Sequence, residues 1–496
     1  MTKRPTTIAI PSLKLIDVSA GAVGRQLIKC LRNAITTGEL KPAEELPSTR
    51  ALASSLGIAR GTVVDAFDQL KAEGFLETKV GAGTRVASEI RELLPAKFAA
   101  NSTTSNQLAA PLPPSVSRLA EIGRSLLPQQ PLPFAVALPT NGVAPDDNWC
   151  RLGNRVRASS CAAPSGYADP RGLPELRTAI AGYVRRARSV KCTMENIIIT
   201  SGAQQGLFMA GSVLLSQGDA VLTENPAYHG LTAVLEQLGM RVCAVPVDDE
   251  GFNIERGTVN CPDARLAFVT PSHQYPLGMP MSMARRQALV AWAMQNNAWI
   301  VEDDYDSELR YAGHPFPAMQ SLGSSRVIYL GTLSKVLFPS LRLGYIVAPD
   351  NLIEAFTGIH SILDRHSPTS EQHVLAAYME EGYFEAHIRR IRMLYAERRK
   401  ALLAALKPSL SLGCVIQPSD QGMHILLWLY ESANDVEIAA KSLAAGIAVR
   451  PVSPMYADKR GRPGLMLGFG GFSLKQLHDA ADVLIQLLRS SLPRKY

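Results

Sequence analysis

Long hydrophobic runs are missing from this chain of 496 residues, since no apolar stretch approaches the ~18 residues that cross a bilayer. A membrane-spanning protein is therefore not expected. The beginning of the sequence, MTKRPTTIAIPSLKLID, has no sustained apolar core and no small-residue cleavage site. We therefore expect no signal peptide and a cytoplasmic protein.

Cysteine is scarce and charge is nearly balanced. The seven cysteines are odd in number, far apart and without a CxxC pair. This favours a reducing cytoplasm and predicts neither a disulfide framework nor a zinc site, so no metal is expected. The net charge of +7, from 51 basic and 44 acidic residues, permits a polyanionic partner without requiring one.

Composition divides the chain into three parts. Apolar strand runs alternate with helical patterns from about residue 134, which predicts an α/β fold with a mostly parallel sheet. Residues 91–133 are rich in proline and small polar residues and are interpreted as a linker, with one short helix near 116–127. The predicted domains are 14–90, the linker 91–133, and 134–496, with a smaller subdomain from about 365.

The N-terminal part has the pattern of a winged helix-turn-helix. Helical spacing predicts helices over 23–37, 48–56 and 60–73, followed by short strands at 75–78 and 84–86. Ser48 is a suitable N-cap, and Arg60 and Thr62 begin the helix that would enter a DNA groove. Arg50 and the wing glycines Gly81 and Gly83 suit backbone contacts, and Ser48 is a further candidate for contacting DNA. A helical protein-interaction module is the alternative.

The run LPSTRALASSLGIARGTVVDAFDQLKAEGFLETKVGAGTRVA resembles the winged helix-turn-helix of GntR-family transcription regulators. The resemblance implies that Arg50, Arg60, Thr62 and the wing near Gly81 contact double-stranded DNA. Val64 stands where relatives often carry a second arginine, so fewer phosphate contacts are expected.

In the large region, Lys335 lies in GTLSKVLFPSLRLGY, directly after an apolar strand. A lysine between two buried strands is costly unless it is exposed, paired or used covalently. One covalent use is a Schiff base with pyridoxal 5'-phosphate (PLP). The alternative is a lysine in a surface loop.

An acidic run, VEDDYD at 301–306, follows another buried strand. Asp303 at the end of that strand can keep the pyridine nitrogen of PLP protonated, and the nearby phenol of Tyr305 can bond to the 3-oxygen. A divalent-cation site or a solvated acidic turn is the alternative reading, although no neighbouring histidine or second acidic motif supports a metal.

A strand-to-helix turn, TSGAQQ at 200–205, offers backbone N–H groups to a phosphate. The phosphate candidates in this turn are Ser201, Gly202, Ala203 and Gln204. Arg342, seven residues after Lys335, can complete a phosphate cup with Thr332 and Ser334. A helix start without a ligand is the alternative.

The order glycine-rich turn, Asp, Lys, Arg over residues 134–496 resembles that of fold type I aminotransferases. The resemblance implies PLP bound through Lys335, with Asp303 at the pyridine nitrogen and Tyr305 at the 3-hydroxyl. It also implies that Tyr228 stacks on the ring and that Tyr167 reaches the phosphate of a partner subunit, hence a homodimer.

Two positions depart from the enzymes. Tyr275 replaces the usual asparagine, and Met466 or Leu467 stands where an arginine commonly grips the substrate carboxylate. Arg450 and Arg462 are candidate substitutes for that arginine, although either can be an ordinary surface residue.

The combined layout resembles MocR-type (GabR-like) regulators of the GntR family. That resemblance implies a head-to-tail homodimer that binds an operator and senses a small amino compound, which displaces Lys335 from the cofactor in an external aldimine. Net turnover is not expected, although partial transamination chemistry can remain. The alternatives are a working aminotransferase and a DNA-binding regulator whose large domain serves only for dimerisation.

Overall fold

The computed structural model describes residues 10–11, 13, 16–17, 20–79, 83–88, 113–140, 145–160, 164–459 and 461–492. The chain divides into two compact units, residues 1–112 and 113–496. Within the described residues, no helix is both long enough and apolar enough to cross a membrane.

The described part of the first unit has three helices followed by a two-stranded hairpin. Its elements are α1 (Val23–Thr36), α2 (Thr49–Leu56), α3 (Arg60–Ala72), β1 (Leu76–Lys79) and β2 (Gly83–Val86). Ser48 caps α2 by accepting a hydrogen bond from the Ala51 N–H at 3.2 Å, and Gly57 ends α2 in the left-handed conformation. The predicted helices and wing strands are thus confirmed to within a residue or two.

The second unit opens with a helix, α4 (Pro114–Ser125), where the sequence predicted one. Further helices follow: α5 (Asp147–Arg157), α6 (Pro174–Arg188), α7 (Ala203–Leu214), α8 (His229–Gln237), α9 (Ile254–Asn260), α10 (Met283–Gln295), α11 (Ile353–Leu363), α12 (Thr369–Glu380), α13 (Tyr383–Ala405) and α14 (Asp435–Ala444). The last described helix is α15 (Leu474–Ser491).

The main sheet of the described chain has eight strands in the order β3-β10-β9-β8-β7-β4-β5-β6. They are β3 (Ile197–Thr200), β4 (Ala220–Asn225), β5 (Arg241–Asp248), β6 (Gly251–Phe252), β7 (Leu266–Val269), β8 (Trp299–Asp304), β9 (Val327–Thr332) and β10 (Gly344–Val347). The central strands β5, β4, β7, β8 and β9 are parallel, whereas β10 and β6 pair antiparallel with their neighbours.

Burial on both faces explains why these strands are nearly continuous apolar runs. Every residue of β3, β7 and β9 is buried, as expected for a parallel sheet covered by helices on each side. The carboxyl ends of β3, β4, β7, β8 and β9 meet at one edge, where open α/β sheets bind their ligands. The predicted α/β class is therefore confirmed, and this edge is the place to look for a site.

A second, antiparallel sheet lies toward the end of the chain, in the order β11-β12-β14-β13. Its strands are β11 (Val415–Ile416), β12 (His424–Trp428), β13 (Arg450–Pro451) and β14 (Gly464–Gly468). In its register, Arg450 pairs with Met466. Arg450 thus stands on the strand next to the position where the sequence lacks an arginine.

The sequence predicts no disulfide framework, but one disulfide is present in the described chain. Cys243 of β5 and Cys261 at the end of α9 form a disulfide, with Cα atoms 6.5 Å apart. The two cysteines are 18 residues apart in sequence, and the packing of α9 against β5 brings them together. The spacing of the cysteines in the sequence does not predict the packing of α9 against β5, and so it does not predict this disulfide.

Candidate functional site

Lys335 lies in the turn that follows β9, at the carboxyl edge of the main sheet. Burial lowers the pKa of its ammonium group; the charges of Arg450 and Arg342 act in the same direction, and those of Asp306 and Asp303 oppose them. Burial thus favours the uncharged amine, which is the nucleophilic form.

The carboxyl group of Asp303 lies in a buried environment next to this lysine. Burial, with Asp304 and Glu224 adding to it, raises the pKa of Asp303 to about 7, while Lys335 opposes the rise. Its Oδ1 atom is buried and accepts no hydrogen bond from the described residues. A buried acceptor of this kind needs a hydrogen-bond donor, and a protonated pyridine nitrogen is a suitable one.

The neighbouring acids of β8 serve the scaffold. Glu302 accepts hydrogen bonds from the backbone N–H groups of Met319 and Gln320, both at 2.9 Å. Asp304 pairs with Arg188 at 2.8 Å. Because side chains alternate along a strand, Asp303 faces the opposite side from these two, and the acidic run is not one cation site.

The turn between β3 and α7 brings together groups that can bind an anion. Gly202 has a φ of +93°, and Arg342 donates a hydrogen bond to the Ser201 carbonyl at 2.5 Å. A Cβ at Gly202 would stand 3.1 Å from the Arg342 guanidinium. The Oγ of Ser334 is buried without a partner among the described residues, and its N–H donates to Thr332 Oγ1 at 3.3 Å. These groups fit a phosphate beside the amides that begin α7 at Ala203.

Aromatic side chains cluster beside Asp303 and Arg450. The ring of Tyr275 lies edge-on to Tyr228 and to Tyr305, each at 5.8 Å between centroids. The Tyr228 hydroxyl donates to Gln204 Oε1 at 3.3 Å, and Arg450 donates to the Tyr275 hydroxyl at 3.1 Å. Tyr275, at the position of the missing asparagine, therefore links Arg450 to the site.

Two candidates lie elsewhere in this chain. Arg462 stacks on the ring of Trp428 at 4.5 Å. Tyr167 is 85% exposed, and its ring is 6.0 Å from that of His366. A binding role for either residue stays a prediction.

Sequence reasoning gave no role to three buried residues near Tyr305. His273, which follows β7, contacts Asp306 and Tyr305 through Nδ1. His424 of β12 lies 5.4 Å from His273 between ring centroids, and burial lowers its pKa to about 3. The position of Asp306, three residues after Asp303 at the end of a buried strand, was the available clue.

In the first unit, the predicted DNA contacts lie at the start of α2 and α3 and on the wing. Arg50 and Arg60 are exposed, and Arg60 Nε donates to Thr49 at 3.4 Å, whereas Thr62 is half-buried against α1. Gly83 has a φ of +77° and faces Glu45. Gly81 lies outside the described residues.

Comparison with known proteins identifies both units. The family model for aminotransferases of class I and II matches residues 140–466, and that for bacterial regulatory proteins of the gntR family matches residues 24–86. The solved kynurenine aminotransferase of Pyrococcus horikoshii, in complex with PMP, superposes with a TM-score of 0.69 at 25% identity over 78% of this chain and 96% of that one. The aminotransferase LysN of Thermus thermophilus, complexed with N-(5'-phosphopyridoxyl)-L-leucine, gives 0.68 at 25% identity over 75% and 94%.

Full-length relatives share both parts. The probable rhizopine catabolism regulatory protein MocR of Rhizobium meliloti is 36% identical over 93% of this chain and 92% of its own length. The pyridoxine biosynthesis transcriptional regulator PdxR of Corynebacterium glutamicum is 32% identical over 90% of this chain and 92% of its own. The chain therefore belongs to the MocR-type regulators, in which a gntR-family helix-turn-helix is joined to an aminotransferase class I and II domain.

Proposed function

We propose that this protein is a DNA-binding transcription regulator whose large unit holds PLP and senses a small amino compound. The observation that carries the cofactor is the pair of buried oxygens, Asp303 Oδ1 and Ser334 Oγ, which have no partners among the described residues. Asp303 Oδ1 would contact the pyridine nitrogen of a bound PLP, and Ser334 Oγ would contact its phosphate. Lys335 follows Ser334 directly in the chain. The domain limits 14–90, 91–133 and 134–496 remain part of this proposal.

PLP, when bound, supplies an aldehyde that exchanges one amine partner for another. Lys335 provides the resident amine, and burial lowers its pKa, which favours the uncharged, nucleophilic form. The phosphate is held by Ser201, Gly202, Ala203, Thr332, Ser334 and Arg342. Gln204 orients Tyr228. Regulation follows if the amino compound has different affinities for two arrangements of the protein.

Arg450 is the better candidate for an effector carboxylate. Its charge lowers the pKa of Lys335, and it donates to Tyr275, so it faces the same space. Arg462 stacks on Trp428 instead. An amino compound that bears a carboxylate is therefore the expected effector class. A homodimer, in which Tyr167 reaches the partner's phosphate, completes the proposal.

The test is a footprint of the PLP-loaded protein on the DNA upstream of its own gene, with and without amino acids. We expect protection of a repeated half-site and a change of protection on adding the effector. Lys335→Ala should keep DNA binding and lose the response, whereas Lys400→Ala, an exposed lysine of α13, should behave as wild type. No protection at low salt would contradict the regulator.

A working aminotransferase is the second candidate, since Asp303, Lys335 and the phosphate-side Arg342 lie together at the sheet edge. The aromatic-amino-acid aminotransferase 1 of Thermococcus litoralis is 26% identical over 76% of this chain. Multiple turnovers with an amino acid and a 2-oxo acid, abolished in Lys335→Ala, would establish that activity. A single turnover at most is expected of the regulator.

A further inference from the structure

His273 and Asp306 form a buried pair behind Tyr305. Both oxygens of Asp306 lie within hydrogen-bond distance of His273 Nδ1, at 3.0 and 2.9 Å. The side chains are 1% and 3% exposed, so water does not compete for this contact. A carboxylate accepts hydrogen bonds and cannot donate them, which places a hydrogen on Nδ1.

The hydroxyl of Tyr305 lies 3.0 Å from the same Nδ1 atom, and the two rings stack with centroids 5.7 Å apart. Because Nδ1 already carries a hydrogen, the Tyr305 oxygen can only accept there. The hydrogen of the Tyr305 hydroxyl is then available to an acceptor on the cofactor side. Reversing the histidine tautomer would direct that hydrogen back to the ring.

The far side of the imidazole is fixed as well. His273 Nε2 lies 3.4 Å from Ser419 Oγ, and the Ser419 hydroxyl can donate its one hydrogen to that nitrogen or to the Gln421 carbonyl, 3.1 Å away. A Cβ on Gly422 would overlap the His273 ring, and Gly422 has a φ of +82°. The ring is thus held by contacts on both nitrogens and by close packing.

We propose that the Asp306–His273 pair positions Tyr305, keeping the hydroxyl hydrogen of Tyr305 available to the ring oxygen of a bound PLP. This inference rests on the proposed function, because it requires that PLP occupies the site. His273 and Asp306 are positioning residues that act through Tyr305. Asp306 is also the strongest charge on both Tyr305 and Lys335, which places the pair next to the reacting groups.

The test uses the absorbance of PLP bound to the full-length protein, followed against pH. A hydrogen bond donated to the ring oxygen favours the charged form of that oxygen. Tyr305→Phe should therefore raise the pH midpoint of the absorbance change of bound PLP by about one unit. His273→Leu should raise it in the same direction, and should add little in the Tyr305→Phe background. His273→Asn, which can keep a donor near the Nδ1 position, should restore most of the wild-type midpoint.

The charged and titratable groups that surround Tyr305 and Lys335 are Asp303, Asp306, Glu224, Tyr275, Arg342 and Arg450. Comparing His273→Leu, Tyr305→Phe and the double variant separates the effect of these charges on the midpoint from the effect that His273 has through Tyr305. His478→Leu, an exposed histidine of α15, is the control and should leave the midpoint unchanged.

Independent shifts that add in the double variant, or no shift in His273→Leu, would overturn the positioning role. If the His273→Leu variant does not fold, the same comparison is made with Asp306→Asn, which preserves the size of the side chain. Failure of the wild-type protein to take up PLP would instead contradict the proposed function, so the two failures are distinguishable.

Discussion

Asp303 is a carboxyl group whose environment penalises its charge. Burial raises its pKa to about 7, so in the cofactor-free protein it holds a proton that the unfolded chain has already released near pH 4. The folded state therefore loses stability as the pH rises from about 4 to about 7, because the bound proton must be given up. A cationic nitrogen beside Oδ1 would stabilise the charged form of Asp303 and so remove this loss of stability.

Asp303→Asn should reduce that pH-dependent loss of unfolding free energy by about 3 kcal/mol, since asparagine has no charge to bury. Denaturant unfolding of the cofactor-free protein at pH 4.5 and 7.5 measures it. Asp249→Asn, an exposed aspartate, should leave the pH dependence as in wild type. An identical pH dependence in Asp303→Asn and wild type would show that Asp303 is ionised throughout.

At the scale of elements, the turn from β3 to α7 lets the Arg342 guanidinium approach the backbone at Gly202 closely. Gly202→Ala should weaken PLP binding about tenfold or more, because its Cβ would crowd the Arg342 guanidinium at 3.1 Å. Gly218 provides a matched control: its φ is +91° against +93°, and nothing lies within 4 Å of a Cβ there.

Both alanine variants should lose roughly 1–2 kcal/mol of stability from the left-handed backbone. Only Gly202→Ala should change the PLP dissociation constant, measured by fluorescence titration. Equal losses of affinity in the two variants would mean that the turn does not hold the phosphate.

How much of this the sequence predicted depends on the kind of contact. The alternation of strands and helices predicts the parallel sheet, and the resemblance to fold type I aminotransferases is what assigns Asp303, Lys335 and Arg342 to one site. His273 was missed because its contact with Asp306 crosses from the end of β7 to the end of β8, and no spacing motif connects them. Arg450 and Arg462 were not separable from sequence, since the choice depends on the register of β13 with β14.

For the whole molecule, DNA binding should be governed by charge. If Arg60 neutralises a phosphate, log affinity should fall linearly with log salt, and Arg60→Ala should reduce that slope by about 1. Arg489→Ala removes the same charge from an exposed position on α15 and should leave the slope unchanged. Titration of labelled operator DNA at several salt concentrations provides both values, and a slope equal to wild type in Arg60→Ala would exclude the phosphate contact.

The two-sided arrangement of β8 constrains how this protein can vary. Asp303 faces the side of the proposed PLP site, whereas Glu302 and Asp304 bond to the scaffold, so alternate residues of one strand have two unrelated roles. Inserting or deleting one residue before Asp303 would exchange the two duties at once. A change in the length of this strand should therefore be tolerated less well than a replacement at one position, and natural variants of this protein should keep the same number of residues in it.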